Sequence, residues 1–265
     1  METSDKILST GGTHNLTVRN NTIINARKGT TFIITITKYL RFEENQFINN
    51  YVGINLRILK CSHVHLKRNQ FIGNRCEEYN VYASDVHNLT ATDNYFFNNT
   101  AGSGGAIRIS QTKMAESIGN RFVRNVATTG GNALSINNVS HLTLENDFFA
   151  ANGDINVLFH ANYTKISIKT SVFMCSTGPL LNANPANVSF FIEKSIFGPQ
   201  NASCSSPLVT KSIFMMRKNG DIKQDCGSNI KRHFSNGPSN ICSSFNRYLQ
   251  KSDLSCISSL FKKLN

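Results

Sequence analysis

A unit of 24 to 26 residues repeated about eight times, three short runs of alternating apolar and polar side chains in each copy, and asparagine at one fixed position of consecutive copies predict an all-β chain wound as a parallel β-helix. Counted from Asn21, the unit restarts at Asn45, Asn69, Asn94, Asn120, Asn146, Thr170 and Lys194, at intervals of 24, 24, 25, 26, 26, 24 and 24 residues. A fixed period of this size marks a solenoid, in which each unit buries its apolar face only against its neighbours.

Taken in order, residues 1–12 are expected to be an irregular lead, with Glu2, Asp5 and Lys6 and no apolar run that would suit a secretory signal. The repeat is running by Leu16 with no capping segment before it, so coils are expected upstream of an incomplete amino end. Residues 13–199 carry the coils. In the clearest copy the extended pieces are 87–92, 95–97 and 106–109, and they recur as 142–144, 148–149 and 133–136. Alternation with β-branched and aromatic residues makes them strands. A leucine-rich repeat of similar length needs a Leu-x-x-Leu-x-Leu frame that this chain lacks. Three strands per turn stack at a strand spacing of about 4.8 Å.

Five residues after each restart stand Asn50, Asn74, Asn99 and Asn125, whose stacked amides are expected to form an internal ladder at a tight turn. Cys175 and Pro199 fall in the same column, where the ladder should stop. Gly104-Gly105 is the bend into the third strand, before Ile107 and Ile109 enter the core. After Pro199 the period fails. Residues 200–265 read as a small basic cap over the open end of the solenoid, partly helical from the spacing of Phe245, Leu249, Ile257, Leu260, Phe261 and Leu264, and tied by disulfides among Cys204, Cys226, Cys242 and Cys256.

The Phe-x-x-Asn steps at Phe47, Phe71, Phe96 and Phe122, followed by Gly-Gly-Ala-Ile or Gly-Gly-Asn-Ala-Leu, resemble the repeats of the right-handed parallel β-helix superfamily. They are particularly similar to polymorphic outer-membrane protein repeats and extracellular animal β-helix proteins. The resemblance, over residues 11 to 199, implies a right-handed, pectate-lyase-like fold. It leaves activity open, because that superfamily spans lyases, hydrolases, adhesins and junction proteins.

Charged residues are only 17% of the 265, so amides and hydroxyls make most of the polar surface. The net charge of +12 favours polyanions. It is spread rather than run together, and nucleic acid would rest on charge alone, so none is expected as a partner. No run of about 18 apolar residues offers a membrane span. Disulfides in the cap imply an oxidising compartment, hence an extracellular or cell-surface location. Eight Asn-x-Ser/Thr sequons (Asn15, Asn20, Asn88, Asn98, Asn138, Asn162, Asn187 and Asn201) are candidate glycosylation sites, close to the number that chance supplies in a chain rich in these residues.

Stacking turns sequence columns into surface stripes. The column before each restart reads Asn20, Glu44, Arg68, Asp93, Gly119, Glu145, Lys169, Glu193. Glu44 and Asp93, two coils and about 9.6 Å apart at the usual strand spacing, are the candidate catalytic carboxylates of the enzyme alternative, a pectate-lyase-like or polygalacturonase-like protein acting on an acidic polysaccharide. Alternating ion pairs explain the column without catalysis. The Asp-Asp, His-Gly and Arg-Ile-Lys elements of polygalacturonases are missing, and the carboxylates are too scattered for calcium, which is implied only by the lyase alternative. No nucleotide-binding loop or nucleophile elbow is present, and no cofactor is expected.

A second column, Thr35, Arg57, Tyr82, Arg108 and Ser135, sets two guanidinium groups beside a tyrosine on successive coils. Rings stack on sugars and arginine pairs with carboxylate or sulfate, so Arg57, Tyr82 and Arg108 are the candidate grip on an acidic glycan. His14, His63, His87 and His141, with His65 and His160 nearby, share no single offset and read as turn residues rather than a metal stripe. The expected function is a structural or adhesive β-helix domain, a spacer whose partner is an acidic polysaccharide or an extracellular protein.

Overall fold

The computed structural model describes residues 6–153, 157–160, 164–174, 181–183, 188–193, 195–197, 213–216 and 222–225. They form a parallel β-solenoid whose coils pass through three faces. On the first face lie Asn15–Arg19, Tyr39–Glu43, His63–Lys67 and Asn88–Thr92, followed by the second halves of Ile107–Ile118 and Leu134–Glu145. The second face carries Thr22–Ile24, Gln46–Ile48, Gln70–Ile72, Tyr95–Phe97, Arg121–Val123 and Phe148–Ala150, and continues to a sheet of eight strands. The third carries Thr30–Thr35, Tyr51–Leu59 and Arg75–Ser84, then the first halves of Ile107–Ile118 and Leu134–Glu145. About six coils are described throughout.

Each strand pairs in parallel with its equivalents above and below, so main-chain hydrogen bonds run along the solenoid axis. Residues 6–11, expected as an irregular lead, are instead the strand Lys6–Gly11, in register with Thr30–Thr35. The segment has no pattern of its own. Its conformation comes from pairing with the next coil.

Alternation places every second side chain inside. Phe47, Phe71, Phe96, Phe122, Phe149 and Phe173 stack face to face on the inner side of the second face, with ring centroids 4.7, 4.9, 5.3, 4.7 and 4.4 Å apart, and all are at most 1% exposed. Offset stacking of buried rings adds to their area burial. Leu40, Phe42, Leu66, Leu56, Ile58, Val81 and Ile109 fill the rest of the same core.

The corners are made by residues in the left-handed region. One column is Asn20, Glu44, Arg68, Asp93, Gly119, Asn146 and Thr170, with φ between +49° and +66°. A second is Asn25, Asn49, Gly73, Asn98, Arg124 and Ala151, and a third is Gly12, Ile36, Lys60, Asp85, Gln111 and Asn138. In the first two columns, from Glu44 and Asn49 onward, one such residue turns the chain and a buried Asn, Asp or Ser follows it immediately.

After the first corner, Asn45, Asn69, Asn94 and Asn120 are fully buried, and each Oδ1 accepts from the main chain and the amide of the residue one coil earlier. Their amides also donate to Val18, Phe42, Leu66 and Ala91 carbonyls. Orphaned corner groups are thereby satisfied inside the core. A parallel ladder follows the second corner through Asn50, Asn74, Asn99 and Asn125.

The register departs from expectation after Asn120. The next occupant of the first ladder is Asp147, not Asn146, followed by Ser171 and Ser195 rather than Thr170 and Lys194. The coil from Asn120 to Asp147 is therefore 27 residues long. The second ladder consequently continues to Asn152, which accepts from Asn125 at 2.9 and 3.0 Å. Asn146-Asp147-Phe148 mimics the repeat step one residue early, and the stacked ring is Phe149.

Candidate functional site

The extra residues are all absorbed in one place. From the buried asparagine of the second corner to the aligned position on the third face the chain takes six residues in Asn50 to Leu56, seven in Asn74 to Val81, eight in Asn99 to Ile107 and nine in Asn125 to Leu134. Strand register breaks there, between Cys76 and Tyr79. Exposed Glu77 and Glu78 bulge from one coil, and residues 101–106 and 127–133 wall the next two. Gly104, at φ +63°, and Gly105, whose missing Cβ would collide with the Asn132 and Val126 carbonyls, let these walls pack against one another.

Beside the walls, Arg57, Tyr82 and Arg108 stand in one column of directly paired positions, each half-buried. Its neighbours are Ile33 and Ser135; Thr35, expected there, pairs with Leu59 instead. The bulge adds a residue that spacing could not assign to the site: Tyr79 stacks on Tyr82 at 4.6 Å, and the Arg108 guanidinium lies over Tyr79 at 5.4 Å. Arg108 Nη1 donates to Ser103 Oγ at 2.8 Å. The Nε donors of Arg57 and Arg108 and the Ser135 hydroxyl are buried with no hydrogen-bond partner among the described residues. Three polar groups along one column thus have unused capacity, in a setting where unmade bonds are costly.

Glu44 and Asp93 sit at left-handed corners two coils apart with Arg68 between them. Glu44 Oε2 accepts from Arg19 at 2.9 and 3.1 Å, and its Oε1 lies 3.7 Å from Arg68. The carboxylate serves an ion-pair stripe. Glu145, Lys169 and Glu193, expected in this column, lie instead on the strand before the corner, where Glu145 pairs with Ile118, Lys169 with Glu145 and Glu193 with Lys169, a consequence of the longer coil.

On the first face an open groove of about 570 Å³ is lined by Tyr39, Arg41, His63, His65, Asn88 and Thr90 among others. Here the histidines acquire an order that their offsets did not reveal. His63 pairs across strands with Tyr39 and Asn88, and His65 with Arg41 and Thr90. Tyr39 and His63 rings stack at 5.0 Å and 9°. Burial lowers the His65 pKa, with Glu43 pulling it back up and Lys67 and Arg41 adding to the fall.

Asn20, Asn98 and Asn138 occupy exposed corners, Asn15 is exposed on a strand, and Asn88 is half-buried with its amide 3.3 Å from His63 Nδ1. Asn162, Asn187 and Asn201, the four cap cysteines Cys204, Cys226, Cys242 and Cys256, and the expected helical cap lie outside the described residues. Cys61 and Cys76 are free and buried; burial pushes the Cys76 thiol up to about 12, which suppresses its reactivity. Among the described residues no three His, Cys, Asp or Glu side chains gather to hold a metal, and no helix is long and apolar enough to cross a membrane.

Residues 3–149, more than half of the chain, match the family model described as the right handed beta helix region. No curated protein and no solved structure matches the chain.

Proposed function

The chain belongs to the right-handed β-helix family, and from that premise we propose that it is a rigid extracellular interaction domain that grips an acidic glycan on its third face. The reading rests above all on the partly exposed guanidinium groups of Arg57 and Arg108, which flank Tyr82 in one column of directly paired positions. A carboxylate or sulfate satisfies such donors with charge-assisted bonds, and the spacing of the coils repeats the offer along a polymer. Tyr79 and Ser103 hold Arg108 in place before any ligand arrives, which reduces the entropy lost on binding. The net charge of +12 adds long-range attraction.

The extracellular setting is supported by Asn20, Asn98 and Asn138, sequons standing at exposed corners where an attached glycan meets no packed surface. Asn88, held against His63 in the groove, is the described sequon least suited to modification. Enzymatic deglycosylation of protein from a secretory host should lower its mass and mark Asn20, Asn98 and Asn138; an unmodified secreted protein removes this support.

The binding test is retention on immobilised heparin and pectate. Each charge-assisted bond is worth about 1.5 to 3 kcal/mol, so Arg57→Ala/Arg108→Ala should weaken binding by roughly a hundredfold or more. Unchanged retention of a folded double variant overturns the glycan reading.

A further inference from the structure

The first-face groove has a different chemistry from the third-face column. Arg41 and His65 are directly paired on adjacent coils, as are Tyr39 and His63 two residues earlier. At a strand spacing of about 4.8 Å, one cation and two imidazoles border a single patch. The His63 ring is held by stacking on Tyr39 and by the Asn88 amide 3.3 Å from its Nδ1. Thr90, next in register to His65, adds a hydroxyl, placed 3.4 Å from Glu116 Oε2.

We propose that this groove receives a phosphate or sulfate monoester, its tetrahedral oxyanion held between Arg41, His63 and His65. Arginine supplies a bidentate fork for two oxygens, and each imidazole supplies one further donor. A bare ion would fill only a fraction of about 570 Å³. The remaining space, edged by the Tyr39 ring at 42% exposure, suits the organic part of the ester.

The charge balance makes binding depend on protons. The groups facing His65 are Glu43, whose Oε1 is 4.0 Å from Nδ1, with Lys67 on its own strand and Arg41 on the preceding one. Burial chiefly keeps His65 neutral below its ordinary range. An oxyanion favours the charged ring, so binding takes up a proton and strengthens as pH falls through the histidine range.

Phenyl sulfate is a suitable probe, because its own charge does not change across that range. Calorimetric titration of the full chain should show saturable binding at about pH 5.5, weaker by at least roughly tenfold at about pH 8. Arg41→Ala and His65→Gln should each cut the acidic affinity by about tenfold, and His65→Gln should flatten the pH dependence. Phenyl phosphate should bind alongside phenyl sulfate if the oxyanion is what is read; selectivity between them identifies the source of the ester. In the unmodified protein, the ring proton resonances of His63 and His65 should move on titration, a readout that needs no variant to fold. Arg57→Ala/Arg108→Ala should leave phenyl sulfate binding unchanged, which separates this site from the glycan column. No saturable binding, equal affinity at both pH values, or loss through Arg57 and Arg108 in place of Arg41 each overturns the proposal.

Discussion

Two sides of the same coils obey different rules. At the first corner asparagine holds the same place in four consecutive coils, at Asn45, Asn69, Asn94 and Asn120, before Asp147, Ser171 and Ser195 take it over, while the approach to the third face lengthens by one residue at every level from Asn50–Leu56 to Asn125–Leu134. The corner is fixed because each amide serves both the coil before it and a carbonyl deeper in the core, so a changed residue strands several buried groups at once. Along the approach, exposed residues such as Glu77, Glu78, Thr128 and Thr129 alternate with buried ones, and an added residue at an exposed position costs little more than loop entropy. A solenoid thus confines its invariance to one edge and leaves another free to vary, and it is at the variable edge that Tyr79, Tyr82 and Arg108 meet.

The sharpest way to break this contrast is to cut the stacked column. Phe96 is fully buried between Phe71 and Phe122 at 4.9 and 5.3 Å, so Phe96→Ala should cost about 5 kcal/mol; denaturant unfolding measures it, and a cost under about 1 kcal/mol would show that the column collapses around the cavity. Next comes the one acid in the ladder. Burial raises the Asp147 carboxyl to about 7, which hydrogen bonding from Ser117 and Asn120 offsets only in part. Its Oδ2 is unpaired among the described residues, at the place where the ladder amides donate.

Because the folded pKa lies above the unfolded one, stability is fully present below about pH 4 and is lost as pH rises to about 7, a swing of about 4 kcal/mol. Asp147→Asn should abolish that slope and stabilise the neutral-pH protein, and unchanged pH profiles of the unfolding midpoint would refute it. Asn99→Ala, which strands two Asn74 donors and removes the bond to the Phe71 carbonyl, should cost about 3 kcal/mol in the same assay. At the other edge, deletion of Glu78 alone, which restores the six-residue approach of the preceding coil, should cost under about 1 kcal/mol. It should still weaken heparin retention by displacing Tyr79 from Arg108. A deletion as damaging as Asn99→Ala would erase the distinction between the edges.

The winding and the inward alternation of the strands were legible because the repeat is locked to the core: every Phe-x-x-Asn step places a ring and an amide one coil above the last. Arg57, Tyr82 and Arg108 could be aligned for the same reason, since their strands keep register. Thr35 was misplaced because the first full coil lacks the repeat's aromatic step. The sequence puts the restart at Asn146 rather than Asp147 because Asp147 is isosteric with asparagine and two phenylalanines, Phe148 and Phe149, follow. Tyr79 and the paired order of His63 and His65 had no comparable signal. Tyr79 enters through a bulge, and the histidines sit on two different columns of one strand.

By itself, then, the sequence determined the period, the three faces and the amide ladder through Asn50, Asn74, Asn99 and Asn125, because a buried polar repeat tolerates only one way of stacking; the other ladder, through Asn45, Asn69, Asn94 and Asn120, emerged only from the structure. The tertiary structure alone decided where each surplus residue is taken up, and with it the register beyond Asn120, the stacking of Arg108 on Tyr79 and the groove around Arg41 and His65. The physical reason is that inserted residues at an exposed edge carry little energetic preference of their own. Their positions follow from the coils packed on either side.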